Sequence, residues 1–424
     1  MSHRRINAGP RLSRRGALGL VGAASVAAGA GMLATSSPAD AKNAARPPGW
    51  NGPIPPALRP GGEFDQFVQQ QAAQGLFSGN VLLGYRGRPE LVRSTGMANQ
   101  ELSVPNTLNT LFTLASVTKS LTATAVVQLA EQGKLALWET LGTYLDGFPA
   151  QAAGNVTVHN LLTMTSGMSD YSQGTTWLQQ IPAWTTADEV LDGTMAIIKD
   201  QGLLFAPGAA YSYSNSGFVV LGAIVQQVSG QPYWDYMREH IFAPAGMTRT
   251  DFYTWPRVLS LDAKHQVAHP YGSQRGGGSD VDDFGDVKLY IGLPDGSGGP
   301  YTTTLDLLSF ATALQDGTLL SPGWAALMLN GKFPVSTPAN PSLPWQSWVI
   351  GYGLEDTMIN GQHILGHSGN GPGITTGIDI YPQLGWVAVI LGNCTLEPFG
   401  VSTEMSPIAD LERRLITRQA AEAR

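Results

Sequence analysis

The stretch Ser116-Val117-Thr118-Lys119 sets a hydroxyl and an amine three residues apart at the head of a helical segment. Positions i and i+3 share a helix face, so the amine can reach back to the hydroxyl. A serine becomes a competent nucleophile when a neighbour takes its proton. A lysine does this once burial and nearby charge bring its pKa toward neutrality. Alone, the same four residues also describe a capping serine and a solvated lysine. Two later segments add to them. Tyr213 and Asn215, at the end of Pro207-Gly208-Ala209-Ala210-Tyr211-Ser212-Tyr213-Ser214-Asn215, stand two apart at a helix entrance and can project into one cleft. A phenol beside an ammonium is expected to have a lowered pKa and to exchange protons with the serine or a leaving group. Asn215 is suited to a substrate carbonyl and to fixing the lysine. In Gly366-His367-Ser368-Gly369-Asn370-Gly371-Pro372-Gly373 the glycines let a substrate backbone approach a strand edge. His367 there can donate to the substrate or hold the proton network.

The elements that must position these residues follow from periodicity and punctuation. A helix is predicted from Glu63, with Phe64, Phe67 and Val68 on one face. Residues 79–85 and 90–95 read as paired strands. The helix over 118–132, closed by Gly133, is apolar nearly all round and should be buried. Further helices are predicted at 158–164, 186–201, 216–228, 232–241 and 305–315. Strands return at 375–381 and 386–393, followed by a helix over 407–421. Strands at both ends with helices between predict a mixed α/β fold, in which an antiparallel sheet from both chain ends carries flanking helices. The sheet lobe is expected from 62–105 and 298–424, with a mainly helical lobe, 106–297, inserted. The active site is expected in the cleft between them.

Composition sets the surroundings. The 424 residues include 51 glycines and 28 prolines but only 13 % charged side chains, which fits an extensive core with many turns. Residues 1–41 read as a twin-arginine export signal: Arg14-Arg15, a mildly apolar run, then the small-x-small site Ala39-Asp40-Ala41. A proline-rich linker follows over 42–61. Cleavage after Ala41 leaves 20 Lys+Arg against 31 Asp+Glu, a charge of −11, which argues against nucleic acid or an anionic membrane surface as partner. No cysteine lies near the cleavage site to carry a lipid, so an exported protein without a stable membrane anchor, periplasmic or extracellular, is expected. The single cysteine, Cys394, sits in an apolar run and reads as core packing.

Taken in order, Ser116–Lys119, Tyr213–Asn215 and His367–Gly369 resemble the S-x-x-K, Y-x-N and K/H-x-G motifs of the serine penicillin-recognising family. That family includes DD-peptidases, class C β-lactamases and related esterases and amidases. Thr110-Leu111-Phe112, the run from Leu161 to Met168, Phe205-Ala206-Pro207-Gly208, residues 298–315 and Gly351-Tyr352-Gly353 resemble it as well, so the likeness covers roughly residues 62–420. It implies the β-lactamase/DD-peptidase-like fold and an acyl-enzyme on Ser116, with Lys119 and Tyr213 sharing general base and acid work. It also implies Asn215, His367, Ser368 and Gly369 in the substrate network and an oxyanion hole from the backbone N–H groups of Ser116 and Asn370. No metal or organic cofactor is implied.

The substrate implied is a small molecule or peptide, with peptidoglycan fragments and β-lactams among the candidates. The 206–215 run is most like the soluble DD-carboxypeptidases, which bind a terminal carboxylate through an arginine ahead of the third motif. Residues 354–366 contain no Lys or Arg, while Glu355 and Asp356 are acidic. A cation there would contribute about 1.5–3 kcal/mol. An esterase or D-amino-acid amidase or aminopeptidase is therefore the alternative to a DD-carboxypeptidase. A weak β-lactamase and a non-catalytic penicillin-binding sensor are further ones.

Other constellations fit less well. Gly366–Asn370 falls one residue short of the α/β-hydrolase G-x-S-x-G, and no parallel βαβ series surrounds it. His265 and His269 lack the glutamate of H-E-x-x-H. Asp280, Asp282, Asp283 and Asp286 do not match a calcium loop's spacing and read as solvated.

Overall fold

Alternating apolar side chains in the terminal strands build the sheet on which everything else packs. The computed structural model describes residues 54–184, 186–253, 255–272, 295–335, 347–395 and 406–422. The expected export signal, most of the linker and the acidic loop 280–286 lie outside them. Eight antiparallel strands form the main sheet: β1 (Gly79–Tyr85), β2 (Arg88–Thr95), β3 (Phe333–Pro334), β4 (Ser347–Ile350), β5 (Glu355–Ile359), β6 (Gln362–Gly371), β7 (Ile374–Tyr381) and β8 (Trp386–Gly392). Their order is β2-β1-β8-β7-β6-β5-β4-β3. The first strand therefore pairs with the last, Gly79 opposite Gly392 and Tyr85 opposite Trp386.

Side chains alternate faces along a strand, and the two cores follow that alternation. Val81, Leu83, Ala388 and Ile390 pack with Phe64 and Val68 of α1 (Glu63–Ala73) and with Ile408, Leu415 and Ile416, which belong to a C-terminal helix. Leu82, Val387, Val389 and Leu391 face the other, larger core. That core holds α2 (Thr118–Glu131), α3 (Ala187–Lys199), α4 (Asn215–Ser229) and α5 (Thr304–Gln315). The C-terminal helix is α6 (Pro407–Glu422). Nearly every α2 side chain is buried, as its all-round apolar pattern predicts. Thr186 caps α3 through the N–H of Glu189, whose side chain returns the bond: the T-x-x-E capping box. Cys394 is free and buried.

One predicted helix departs from its expected form. The run expected over 232–241 is α-helical only over Tyr233–Tyr236 and then widens into a π-helical turn, Met237–Phe242. Pro244 has no N–H to return to the carbonyl four residues back, at His240, and its ring crowds that carbonyl. Gln128 Nε2 of α2 donates to the His240 carbonyl instead, at 3.2 Å.

The buried ion pair between Asp379 of β7 and Arg413 of α6 ties the C-terminal helix to the sheet, with Nη2 at 2.7 Å from Oδ1. Both side chains are about a tenth exposed, so removing one partner strands the other in a dry setting. Asp379→Ala is expected to lower unfolding free energy by about 3–5 kcal/mol in urea titrations. Asp379→Leu combined with Arg413→Met should recover most of that loss. Equal losses in the single and double variants would contradict this account.

Candidate active site

Ser116 lies in a single 3-10 turn, Ala115–Val117, that leads directly into α2. Ala115 sits at φ +48°, a left-handed conformation unfavourable for a residue with a Cβ. Two contacts hold the turn: Thr118 Oγ1 donates to the Ala115 carbonyl at 2.6 Å, and Thr376 Oγ1 of β7 donates to the Leu114 carbonyl at 2.9 Å. Strand β6 passes close by. A Cβ on Gly369 would fall 2.9 Å from the Ser116 nitrogen, so only glycine lets the strand run against the serine backbone.

The Lys119 amine is fully buried and has three polar neighbours. They are Ser116 Oγ at 3.0 Å, Asn215 Oδ1 at 2.8 Å and the Ser297 carbonyl at 2.9 Å. It also lies over the rings of Tyr213 and Phe218, at 5.0 and 5.8 Å. A neutral amine has two N–H bonds and one lone pair. Those match two carbonyl-type acceptors and one serine O–H, so the three contacts accommodate a lysine that accepts the serine proton. Tyr213 Oη is 2.7 Å from the same Ser116 Oγ.

Two carboxylates act on this group from one step away. Asp170 Oδ2 accepts from both the backbone N–H of Asn215, at 2.8 Å, and its Nδ2, at 3.0 Å. Asn215 is the first residue of α4, whose backbone N–H has no partner within the helix. The aspartate satisfies it and turns the amide so that Oδ1 faces Lys119. Asp295, also buried, accepts from the N–H and Oγ of Ser297 and from the Gly298 N–H, which holds the Ser297 carbonyl toward the lysine.

Burial lowers the Lys119 pKa to about 7, against the opposing pull of Asp295 and Asp170. For Tyr213 the structure corrects the expectation of a lowered pKa. The residue as a whole is 38 % exposed, but its hydroxyl end lies deep in the cleft, and burial raises the phenol well above its usual value. The bond to Ser116 only partly offsets that burial. Of the two, Lys119 is the group poised to change protonation near neutrality. His367 is pushed down to about 3 by burial and by the Lys119 charge, so it is neutral. Its Nδ1 lies 2.6 Å from the Ser368 carbonyl and must carry the hydrogen, which leaves Nε2 an acceptor with no partner among the described residues.

Folding brings Ser116, Lys119, Tyr213 and Asn215 into direct contact. The His367 ring centre lies 6.4 Å from that of Tyr213. Ser368 and Asn370 are exposed and alternate to the opposite face of β6, outside the hydrogen bonds around Ser116. Pairing of β6 with β5 ends at Gly366–Glu355, so beyond it that edge of the strand has no partner strand among the described residues. Of the two histidines weighed for zinc, His265 follows a helix in a turn at φ +55°, and His269 is engaged at 2.6 Å by Asp262.

Sequence reasoning missed Asp170, Asp295 and the Ser297 carbonyl. It also found no basic residue ahead of the third motif, yet folding carries Arg413 from α6 to the cavity behind that strand, where Asp379 holds it. If a neutral Lys119 takes the serine proton, labelling of Ser116 by a fluorophosphonate should slow about tenfold per pH unit below pH about 7 and level off above it. A flat rate between about pH 5 and 9 would exclude Lys119 as the group that takes the proton.

The beta-lactamase family model matches residues 64–405. The putative penicillin-binding protein PbpX of Bacillus subtilis (strain 168) is 34 % identical over 250 residues, 58 % of this chain and 56 % of that protein. Esterase EstB of Burkholderia gladioli is 33 % identical over 198 residues, 45 % of this chain and 50 % of the esterase. The match thus spans about half the length of each of these two relatives. Among solved structures, a D-amino acid amidase from Ochrobactrum anthropi SV3, complexed with L-phenylalanine amide, superposes with a TM-score of 0.67 at 24 % identity, covering 85 % of this chain and 99 % of that one. That last likeness is one of fold.

Proposed function

Because the chain belongs to the beta-lactamase family, whose model spans most of it, we propose that it cleaves an amide or ester through an acyl-serine intermediate. The observation that carries this reading is the pair of contacts on one oxygen: Lys119 Nζ at 3.0 Å and Tyr213 Oη at 2.7 Å from Ser116 Oγ. In the proposed reaction Lys119 takes the Ser116 proton as Oγ attacks the carbonyl carbon. Tyr213 gives its proton to the departing nitrogen or oxygen and is reprotonated by Lys119. The backbone N–H groups of Ser116 and Asn370 hold the developing oxyanion. Water then enters where the leaving group stood, gives its proton back along the same path and releases the acid. Asn215 keeps the lysine aimed. A raised phenol pKa suits Tyr213 to donating a proton rather than to first removing one.

For the substrate, an ester or an amide without a free terminal carboxylate fits best. His367 is neutral, residues 354–366 contain no Lys or Arg, and Arg413 is engaged by Asp379. A DD-carboxypeptidase is the second reading, favoured by a relative that bears the name putative penicillin-binding protein. Export through the signal at 1–41 belongs to the same proposal and rests on the sequence. No described helix is long and apolar enough to cross a membrane. The proposed site lies where the start of α2 and the start of α4 meet β6.

Ser116→Ala should abolish turnover while the far-ultraviolet circular dichroism stays that of the parent. Tyr213→Phe should lose about 10²–10⁴ in kcat. The test compares a short-chain p-nitrophenyl ester, a D-amino acid amide, a D-Ala-D-Ala peptide and a chromogenic cephalosporin on the mature protein. Turnover of the ester or amide well ahead of the peptide is expected. Faster cleavage of the peptide would establish the second reading, and full activity in Ser116→Ala would remove the acyl-serine mechanism.

A further inference from the structure

The register of β6 sets an unsatisfied acceptor on the same face of the sheet as the nucleophile. Gly369, where a Cβ would fall 2.9 Å from the Ser116 nitrogen, faces the serine. Thr376, paired with Gly369 across β7, reaches the Leu114 carbonyl on that face. His367 stands two positions before Gly369, so it shares this face, about 7 Å along the strand. Its ring centre lies 6.4 Å from that of Tyr213, whose hydroxyl donates to Ser116 Oγ at 2.7 Å.

The single hydrogen of the neutral ring is committed. Nδ1 donates to the Ser368 carbonyl at 2.6 Å, so Nε2 can only accept. Burial and the Lys119 charge both disfavour a protonated ring. At 5 % exposure, His367 keeps Nε2 without a donor among the described residues. The nearby donors are spent elsewhere: Tyr213 on Ser116 Oγ, and Lys119 on Asn215 Oδ1 and the Ser297 carbonyl. A buried acceptor without a donor is costly, and a substrate hydrogen would remove that cost.

The leaving atom of an acyl transfer at Ser116 comes to Tyr213, which protonates it, and so comes to the tyrosine beside His367. There a departing nitrogen and a departing oxygen differ. In the tetrahedral adduct of a primary or secondary amide, the nitrogen turns its lone pair to Tyr213 Oη and still carries a hydrogen directed elsewhere. An ester oxygen carries none. We propose that His367 Nε2 accepts this N–H, which makes the enzyme an amidase for substrates whose scissile nitrogen bears a hydrogen. The C–N bond breaks as Tyr213 gives its proton to the nitrogen. The amine departs with its own hydrogen and that proton, and His367 stays neutral throughout. The inference rests on the acyl-serine reading above and names the substrate class for it. A contact that tightens as the nitrogen becomes tetrahedral raises kcat and not only affinity.

The test uses compounds with one acyl group on the mature protein: N-(4-nitrophenyl)butanamide, its N-methyl counterpart and 4-nitrophenyl butanoate. In the parent protein the N–H anilide should exceed the N-methyl anilide in kcat/KM by about tenfold or more. His367→Leu keeps bulk at the site and removes the acceptor. In it the N–H-to-N-methyl ratio and the anilide-to-ester ratio should each fall about tenfold, whatever the absolute rates. His367→Gln, whose Oε1 can stand in for Nε2, should recover part of both. An N–H preference that survives His367→Leu would mean that shape alone excludes the methyl group, and would overturn the inference. Equal rates on the two anilides in the parent protein, a comparison that needs no variant, would overturn it as well. So would ester hydrolysis or fluorophosphonate labelling of Ser116 without cleavage of either anilide. No turnover of any compound, with no labelling of Ser116, would instead defeat the acyl-serine reading.

Discussion

The structure turns on burying one amine without pairing it directly to a carboxylate. Desolvation alone favours the neutral form of Lys119, and a direct ion pair would pin it in the charged form. Here each acid reaches the amine through a neutral intermediary. Asp170 acts through the Asn215 amide, and Asp295 through the backbone of Ser297. Their long-range pull and the burial oppose one another, and the lysine settles near pH 7. The cation that remains below that point is one reason His367 stays neutral. One balance thus sets the protonation of both the first and the third motif.

The local parts of this arrangement were legible in the sequence. Ser116 and Lys119 share a helix face, and Tyr213 and Asn215 stand at a helix entrance that Ser214 caps through the Gly217 N–H. Strand alternation at both chain ends forecast the sheet, and the mixed α/β fold matches that of the solved relatives. What could not be read were effects that depend on who sits opposite whom. Asp170 and Asp295 lie in turns with no periodic signal, and their partners are 45 residues away in the first case and two or three in the second. The phenol shift went the other way because adjacency to an ammonium was foreseeable and the depth of burial was not. The π-helical turn before Pro244 was masked by the good helix formers Met237, Arg238 and Glu239 within it.

Strain and close approach explain why the nucleophile sits where it does. Ala115 pays for a left-handed backbone, and the surrounding contacts hold it there: a buried α2 on one side, Thr376 and the bare edge of Gly369 on the other. A side chain at 369 would push the strand away from the Ser116 nitrogen and open the place where an oxyanion would rest. Rigidity of this kind keeps donors aimed at a charge before it develops, which is where an electrostatic contribution to catalysis is largest.

The back of the sheet carries a charge balance of its own. On that face Arg413 of α6 pairs with Asp379, and burial with that same aspartate raises the Glu412 pKa well above the usual carboxylate range. Without that pairing the cavity behind β6 would hold several ionised carboxylates, and repulsion among them would protonate Glu355 along with the rest. With it, the Arg413 charge also works against the burial that raises the Glu355 pKa to about 7. The C-terminal helix α6 therefore sets the charge of the cavity on the sheet face opposite the serine.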